Sequence, residues 1–299
     1  MPQVTMDAAL GFVTSQTAHI EREALRAPLP AIRYAQDIPV DTSPNAYASS
    51  VTFFTQDAVG RAKYINGHGD DIPLANIRRG AHEVGIDTAG IGYMFSIIEI
   101  GQAQMMGINL PSEGAMAART AFEQFVDEVA YIGNAAAGTT GLFNNGEVEE
   151  IAAAATWNTA TPDQILADVN GALVAAYTQT NGMQMPNTLR MPIEAYAILS
   201  TRKMSDYDNT TILSHIRTNN LYTATTGQPL DVLGTTRLED TLVAYQKSPD
   251  VLKMYMPQPL TFIAPQPRNL EIYVPGWFRF SPVNIRKPSA VKYVTGIIA

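Results

Sequence analysis

A chain of 299 residues with 46% hydrophobic side chains can bury a large core, as one big domain or two of ordinary size. Its net charge of −8 leaves out the electrostatic footprint that drives generic nucleic-acid binding. The absence of cysteine excludes disulfides, thiolate metal sites and cysteine nucleophiles.

Met1 to Leu10 lack the basic start and apolar core of a signal peptide, and no run of about eighteen apolar residues occurs, so a soluble intracellular protein is expected. Residues 1–27 read as a polar helix or arm in which Phe12, Val13, Ile20 and Leu25 are too sparse to anchor a core. Pro28, Pro30, Pro39 and Pro44 then hold residues 28–46 extended, as a strap across another surface. Val51 to Ile65 and Val84 to Phe95 read as two strands joined by a long polar tip, Asn66 to Gly80. Two strands alone are marginal in water, so this projecting hairpin needs a neighbour.

Ser96-Ile-Ile-Glu99 is a capping box and Gly107 a stop, bounding a short helix. Pro111 ends that register, Ser112 can cap the next helix and Glu113 suits its positive end. Phe122, Phe125, Val126, Val129 and Ile132 then recur at helical spacing, with Glu123, Gln124, Asp127 and Glu128 on the other side. The spacing predicts about six turns of helix with one buried stripe, ending at Gly133-Asn134. A charge at Phe125 is therefore expected to cost several kcal/mol and abolish soluble protein. The turn Gly138-Thr-Thr-Gly141-Leu-Phe-Asn-Asn145 follows.

Thr161-Pro-Asp-Gln164 opens a further helix by a second capping box, carried by Ile165, Leu166, Val169, Leu173 and Tyr177 to a stop at Asn181-Gly182. Helices are expected at Ile193 to Thr201 and Thr211 to Asn219. From Pro229 the pattern turns to short strands: 230–233, 242–246, 251–256, 270–274, 277–280, 283–286 and 291–298. No repeat of fixed period appears. Early and late strands around an inserted run of helices indicate an α+β fold with a discontinuous domain.

The best polar cluster is His68, Asp70 and Asp71 in the hairpin tip, but Gly, Asp and Asn are favoured in turns for backbone reasons alone, so a solvated turn outweighs a metal site. Arg78 and Arg79 beside it are expected to pair with acidic side chains of another surface. Asp206-Tyr-Asp-Asn209 lacks the glycine and distal Glu of a calcium loop and reads as a helix-capping loop. Glu147, Glu149 and Glu150 read as a solvated face. No nucleophile elbow, phosphate loop, zinc-protease motif or dinucleotide fingerprint occurs. Histidines 19, 68, 82 and 215 are scattered, and Trp157 and Trp277 read as core. No catalytic residue, metal or cofactor is implied.

Arm, long hairpin, spine helix, inserted α/β segment and closing strands, in that order, resemble the tailed-phage major capsid fold (Hong Kong-type), which encapsulins share. The specific match is Ala115 to Asn145, where the helix leads into Gly138-Thr-Thr-Gly141-Leu. The resemblance implies an α+β capsid fold with an N-terminal arm and strap (1–50), an extended hairpin (51–96), a peripheral domain with the spine helix (97–137 and 256–299) and an inserted α/β axial domain (138–255). It further implies a major capsid protein that self-assembles through pentamers and hexamers into an icosahedral phage shell around double-stranded DNA, assembled in the host bacterial cytoplasm. Portal and cement proteins would be partners, with no membrane and no sequence-specific DNA contact. The arm is too short for a scaffolding region, which points to a separate scaffolding protein. Some relatives join a hairpin lysine to an asparagine of another subunit; Lys63 is the lysine of this hairpin, and nothing in the sequence shows that it reacts. The assembly candidates are His68, Asp70, Asp71, Arg78, Arg79, Phe122, Phe125, Val126, Gly138 and Gly141. The alternatives are an encapsulin-type nanocompartment shell, discriminated by its cargo, and a soluble enzyme using the polar loops around Glu149 and Asp206.

Overall fold

The computed structural model describes residues 31–62, 64, 74–106, 110–205 and 207–298. The described residues from Ile32 onward fall in one compact unit, Ile32–Ala299. The arm expected over residues 1–27, the tip residues His68, Asp70 and Asp71, Lys63, the Gly107 stop and Asp206 lie outside the described residues.

The spine helix runs Leu110–Tyr131. It starts ahead of the expected Ser112 cap, with Pro111 and Ser112 inside its first turn, where a missing backbone N–H costs nothing because that group has no intrahelical partner. Phe122, Val126 and Val129 are buried as the periodicity predicts, together with Ala118 and Ala130. Two expectations fail. Phe125 and Ile132 are 40% and 44% exposed, and Asp127, placed on the solvent side, is 1% exposed. The stripe is centred on 122, 126 and 130, which tilts Asp127 under the strap and turns Phe125 to the rim. Phe125 still meets Phe278 and Phe280 edge-on at 6.2 and 5.8 Å. Ahead of the spine lies Ile97–Met106, whose box closes as expected on one side: the Ser96 amide donates to Glu99 Oε2 at 2.9 Å, while Ser96 Oγ accepts from Ile98 rather than Glu99.

The hairpin is real but its return strand is displaced from the expected one. Ser50–Val59 pairs antiparallel with Asn76–Gly85, from Ser50 opposite Gly85 to Val59 opposite Asn76. Arg78 and Arg79 therefore belong to a strand, not to a tip. The segment expected as one strand over 84–95 is split: Asp87–Gly90 pairs with Gly276–Phe280, and Tyr93–Ser96 pairs with Glu271–Val274. The strap is not wholly extended either, since Tyr34–Asp37 forms one helical turn before Val40–Asp41 runs parallel to Leu252–Tyr255.

A five-stranded sheet divides the body in the order 231–235, 188–192, 242–245, 291–295, 149–152, so the last long strand returns between elements far earlier in the chain. Strand alternation sends its two faces into different cores. Val243, Tyr245, Val291 and Tyr293 join the spine helix, Met254, Phe278 and Phe280 in one. Leu242, Ala244 and Val294 join Trp157, Ile165, Val169, Leu173, Leu199 and Ile216 in the other. Each Val, Leu, Ile, Met or Phe among these contributes about 1.5–3 kcal/mol on burial. The helix facing the second core, Pro162–Gln179, carries the expected box, with Thr161 and Gln164 exchanging both bonds. Ile193–Thr201 is as expected, and Thr211 caps Ile212–Thr218. The loop at Tyr207 turns a two-stranded ribbon, Lys203–Ser205 with Asp208–Thr211, instead of capping a helix directly.

Candidate assembly surface

The end of the spine helix is fixed by the glycine turn. Gly133, at φ +82°, reverses the chain, Gly133–Asn134 pairs with Thr139–Thr140, and Gly138 sits left-handed at φ +65° after a short 3-10 turn. Gly141 is a packing requirement of another kind: a Cβ there would lie 2.3 Å from the Tyr131 carbonyl carbon and oxygen. This approach lets the Leu142 amide donate to Ala130 O, the Phe143 amide to Tyr131 O, and the Asn144 side chain to Ile132 O, so the turn satisfies the carbonyls that the helix end leaves open. Tyr293 donates its hydroxyl to Leu142 O at 2.6 Å, and burial pushes that phenol up to about 12.

Beneath the strap lies a buried polar network that the sequence did not disclose. Asp127 accepts the Arg33 and Tyr34 amides at 2.9 and 3.0 Å, capping the Tyr34–Asp37 turn, and Arg237 Nε lies 2.9 Å from its other oxygen. Asp37 receives Arg190 Nε and Nη2 at 3.0 and 2.5 Å and the Tyr131 hydroxyl at 2.5 Å. Arg190 also reaches Asp231 at 2.8 Å, and Tyr245 donates to the Asp37 carbonyl at 3.1 Å. Burial, reinforced by Asp37, raises the Tyr131 and Tyr245 phenols well above their ordinary value. Burial and the Glu123 carboxylate raise Tyr34 likewise. At the end of the strap Lys253, 2.8 Å from Asp41, holds that carboxyl at about 2.

Glu149 is not simply part of a solvated face. It accepts from the buried Lys292 Nζ at 2.6 Å and from the Gln179 amide, and Lys292 draws its carboxyl below the usual range. The charge in Val291-Lys-Tyr-Val was the available signal, but spacing gives no partner 143 residues away.

The outward surface has a different character. Along Asn76–Gly85 nearly every residue is exposed, Arg78 and Arg79 included. Phe54, Ile77, Tyr64 and Leu74 of the same arm are 69%, 60%, 105% and 87% exposed. A cleft of about 230 Å³ opens beside Phe125, between the spine helix and the Asp87–Gly90 strand, lined by Ala89, Ile91, Ala121, Phe122 and Phe278. Phe122 and Val126 face inward, and Gly138 and Gly141 shape the turn, so the candidates do not gather into one pocket. Among the described residues no cluster of three His, Asp or Glu is placed to hold a metal.

A family model described as major capsid protein matches residues 60–297. No curated protein matches the sequence. Among solved structures, the capsid of Myoviridae phage XM1 is similar at 20% identity and a TM-score of 0.82, over 94% of this chain and 97% of that one. The capsid of an empty GTA particle is 13% identical with a TM-score of 0.66, over 99% and 98%. A virus-like particle from Pyrococcus furiosus is 13% identical with a TM-score of 0.52, over 87% and 91%. At these identities the likeness shows the fold, which is the Hong Kong-type capsid fold.

Proposed function

Because this chain belongs to the major capsid protein family, we propose that the shell it forms is an icosahedral phage capsid, built from pentamers and hexamers around double-stranded DNA. The match to major capsid proteins and phage capsids favours this over a nanocompartment shell. The protein is a structural component of the virion. Host bacterial cytoplasm as the place of assembly, and a separate scaffolding protein, a portal and cement proteins as partners, complete the reading. The acidic net charge suits it, since a shell that releases its genome gains nothing by gripping phosphates.

One observation carries the reading: among its described side chains the ribbon Ser50–Val59 with Asn76–Gly85 has no core of its own, and it exposes apolar side chains on an arm that two strands alone would not stabilise. A neighbouring subunit supplies the missing surface, with Arg78 and Arg79 meeting its carboxylates and His68, Asp70 and Asp71 carried at the tip. In such a subunit residues 1–50 act as arm and strap, 51–96 as the extended hairpin, 97–137 with 256–299 as the peripheral part around Phe122, Phe125 and Val126, and 138–255 as the axial part entered through Gly138 and Gly141. Replacing residues 60–75 by a short turn tests this. The subunit keeps its thermal unfolding midpoint but closes no shells, and normal particles in negative stain would overturn the role given to the hairpin.

A further inference from the structure

The hairpin touches the body at two levels. Its root is held just before the first strand, where Arg279 Nη1 donates to Ala46 O at 2.8 Å and Tyr47 stacks on Trp277 at 6.4 Å. Three residues into the strand comes a second contact. The guanidinium carbon of Arg286 lies 4.8 Å from the centre of the Phe53 ring, and that ring stacks on His82 of the opposite strand at 5.3 Å and 18°.

Arg286 belongs to the body. Its amide donates to Val251 O at 2.7 Å, and Nη2 donates to the hydroxyl of Tyr255, which is 3% exposed. Nε is buried and makes no hydrogen bond among the described residues. A buried N–H left open is a cost that hydrogen bonding does not explain, whereas a guanidinium over an aromatic face gains from the ring quadrupole. A ribbon attached at its root alone can swing; a second attachment farther out fixes its direction.

We infer that Arg286 is a positioning residue that sets the angle at which the hairpin leaves the body, by clamping the Phe53 ring to the Tyr255 side of the fold. The clamp stands on the contacts within one subunit. Its consequence for the shell rests on the capsid reading, because a hairpin that reaches a neighbour transmits its angle to the subunit spacing.

Hydrogen exchange on the full-length, unassembled chain tests the clamp. In Arg286→Gln and, from the other side, Phe53→Leu, amides of residues 51–56 and 80–84 exchange roughly two- to fivefold faster, the factor expected for losing one such contact. Peptides from the helix Pro162–Gln179 are unchanged, and Arg286→Lys restores part of the protection. Unchanged hairpin exchange in both variants, or faster exchange throughout the chain, overturns the proposal. In assembly reactions Arg286→Gln broadens the distribution of particle diameters. Failure of the wild-type chain to form particles would count against the capsid reading and leave the exchange result to decide the clamp.

Discussion

Replacing Asp37 by Ala removes the centre of the network that ties the strap to the body. Arg190 and Asp37 have side chains 3% and 4% exposed, so the variant leaves a guanidinium in a dry site. Breaking a buried pair of this kind costs about 3–5 kcal/mol. The Tyr131 hydroxyl also loses its acceptor, which adds about 1–3 kcal/mol if nothing replaces it. Against this, Asp231 stays 2.8 Å from Arg190 on a half-exposed side chain, and the Leu189 carbonyl still accepts at 2.9 Å. The net expectation is about 3 kcal/mol, or roughly 5 °C in the unfolding midpoint of a chain this size. Guanidinium unfolding of unassembled subunits, followed by tryptophan fluorescence, reads it directly. The triple change Asp37→Leu, Arg190→Met and Tyr131→Phe removes all three polar partners together and is expected to return most of the loss. A single Asp37→Ala variant within 1 kcal/mol of wild type would refute the assignment of this network as the anchor of the strap.

Three further outcomes follow from the geometry. Gly141→Ala pushes a methyl to 2.3 Å from the Tyr131 carbonyl and is expected to yield insoluble protein, while Gly138→Ala, with open space around its Cβ but a left-handed φ, costs only about 1 kcal/mol in the same solubility and melting assays. Phe125→Asp, at a rim position meeting Phe278 and Phe280 edge-on, is expected to lower subunit stability by about 1 kcal/mol and to leave the protein soluble, in place of the several kcal/mol that a fully buried stripe implied. Alkaline stability follows Tyr34, Tyr131, Tyr245 and Tyr293, whose folded values are raised. Their contribution is complete below the unfolded phenol value near 10 and falls as pH rises from there, through about 12 for Tyr293 and further still for the other three, whose phenols are raised more. Unfolding that coincides with the phenolate absorbance step is expected; smooth ionisation of all thirteen tyrosines near pH 10 in a folded chain would contradict it.

Local chemistry made much of this fold legible. Thr161 and Gln164 close their box where the sequence put it, Ile193–Thr201 follows its proline, and the glycines after the spine helix are needed for a left-handed φ at Gly133 and Gly138 and for close approach to Tyr131 at Gly141. The misses share a cause, which is that their partners are remote. Asp127 looks like one more acid on a polar face until the Arg33 and Tyr34 amides, 94 and 93 residues away, arrive above it. Arg190 in Thr188-Leu-Arg-Met-Pro192 shows a charge inside an apolar strand, but its acceptor is 153 residues distant. The return strand Asn76–Gly85 was hidden for the opposite reason: exposed along nearly its whole length, it carries no inward-outward alternation by which a strand is recognised. Phe122 and Val126 were legible from helical spacing and are buried, while Arg78 and Arg79 lie exposed on the return strand.

The most direct measurement is cryo-electron microscopy of the purified full-length chain under assembly conditions, with any co-expressed scaffold retained. Closed icosahedral particles, with the 50–85 hairpin of each subunit lying on a neighbour, are the expected result. A stable monomer with the hairpin in solvent, or particles whose hairpins touch no other subunit, would contradict the account.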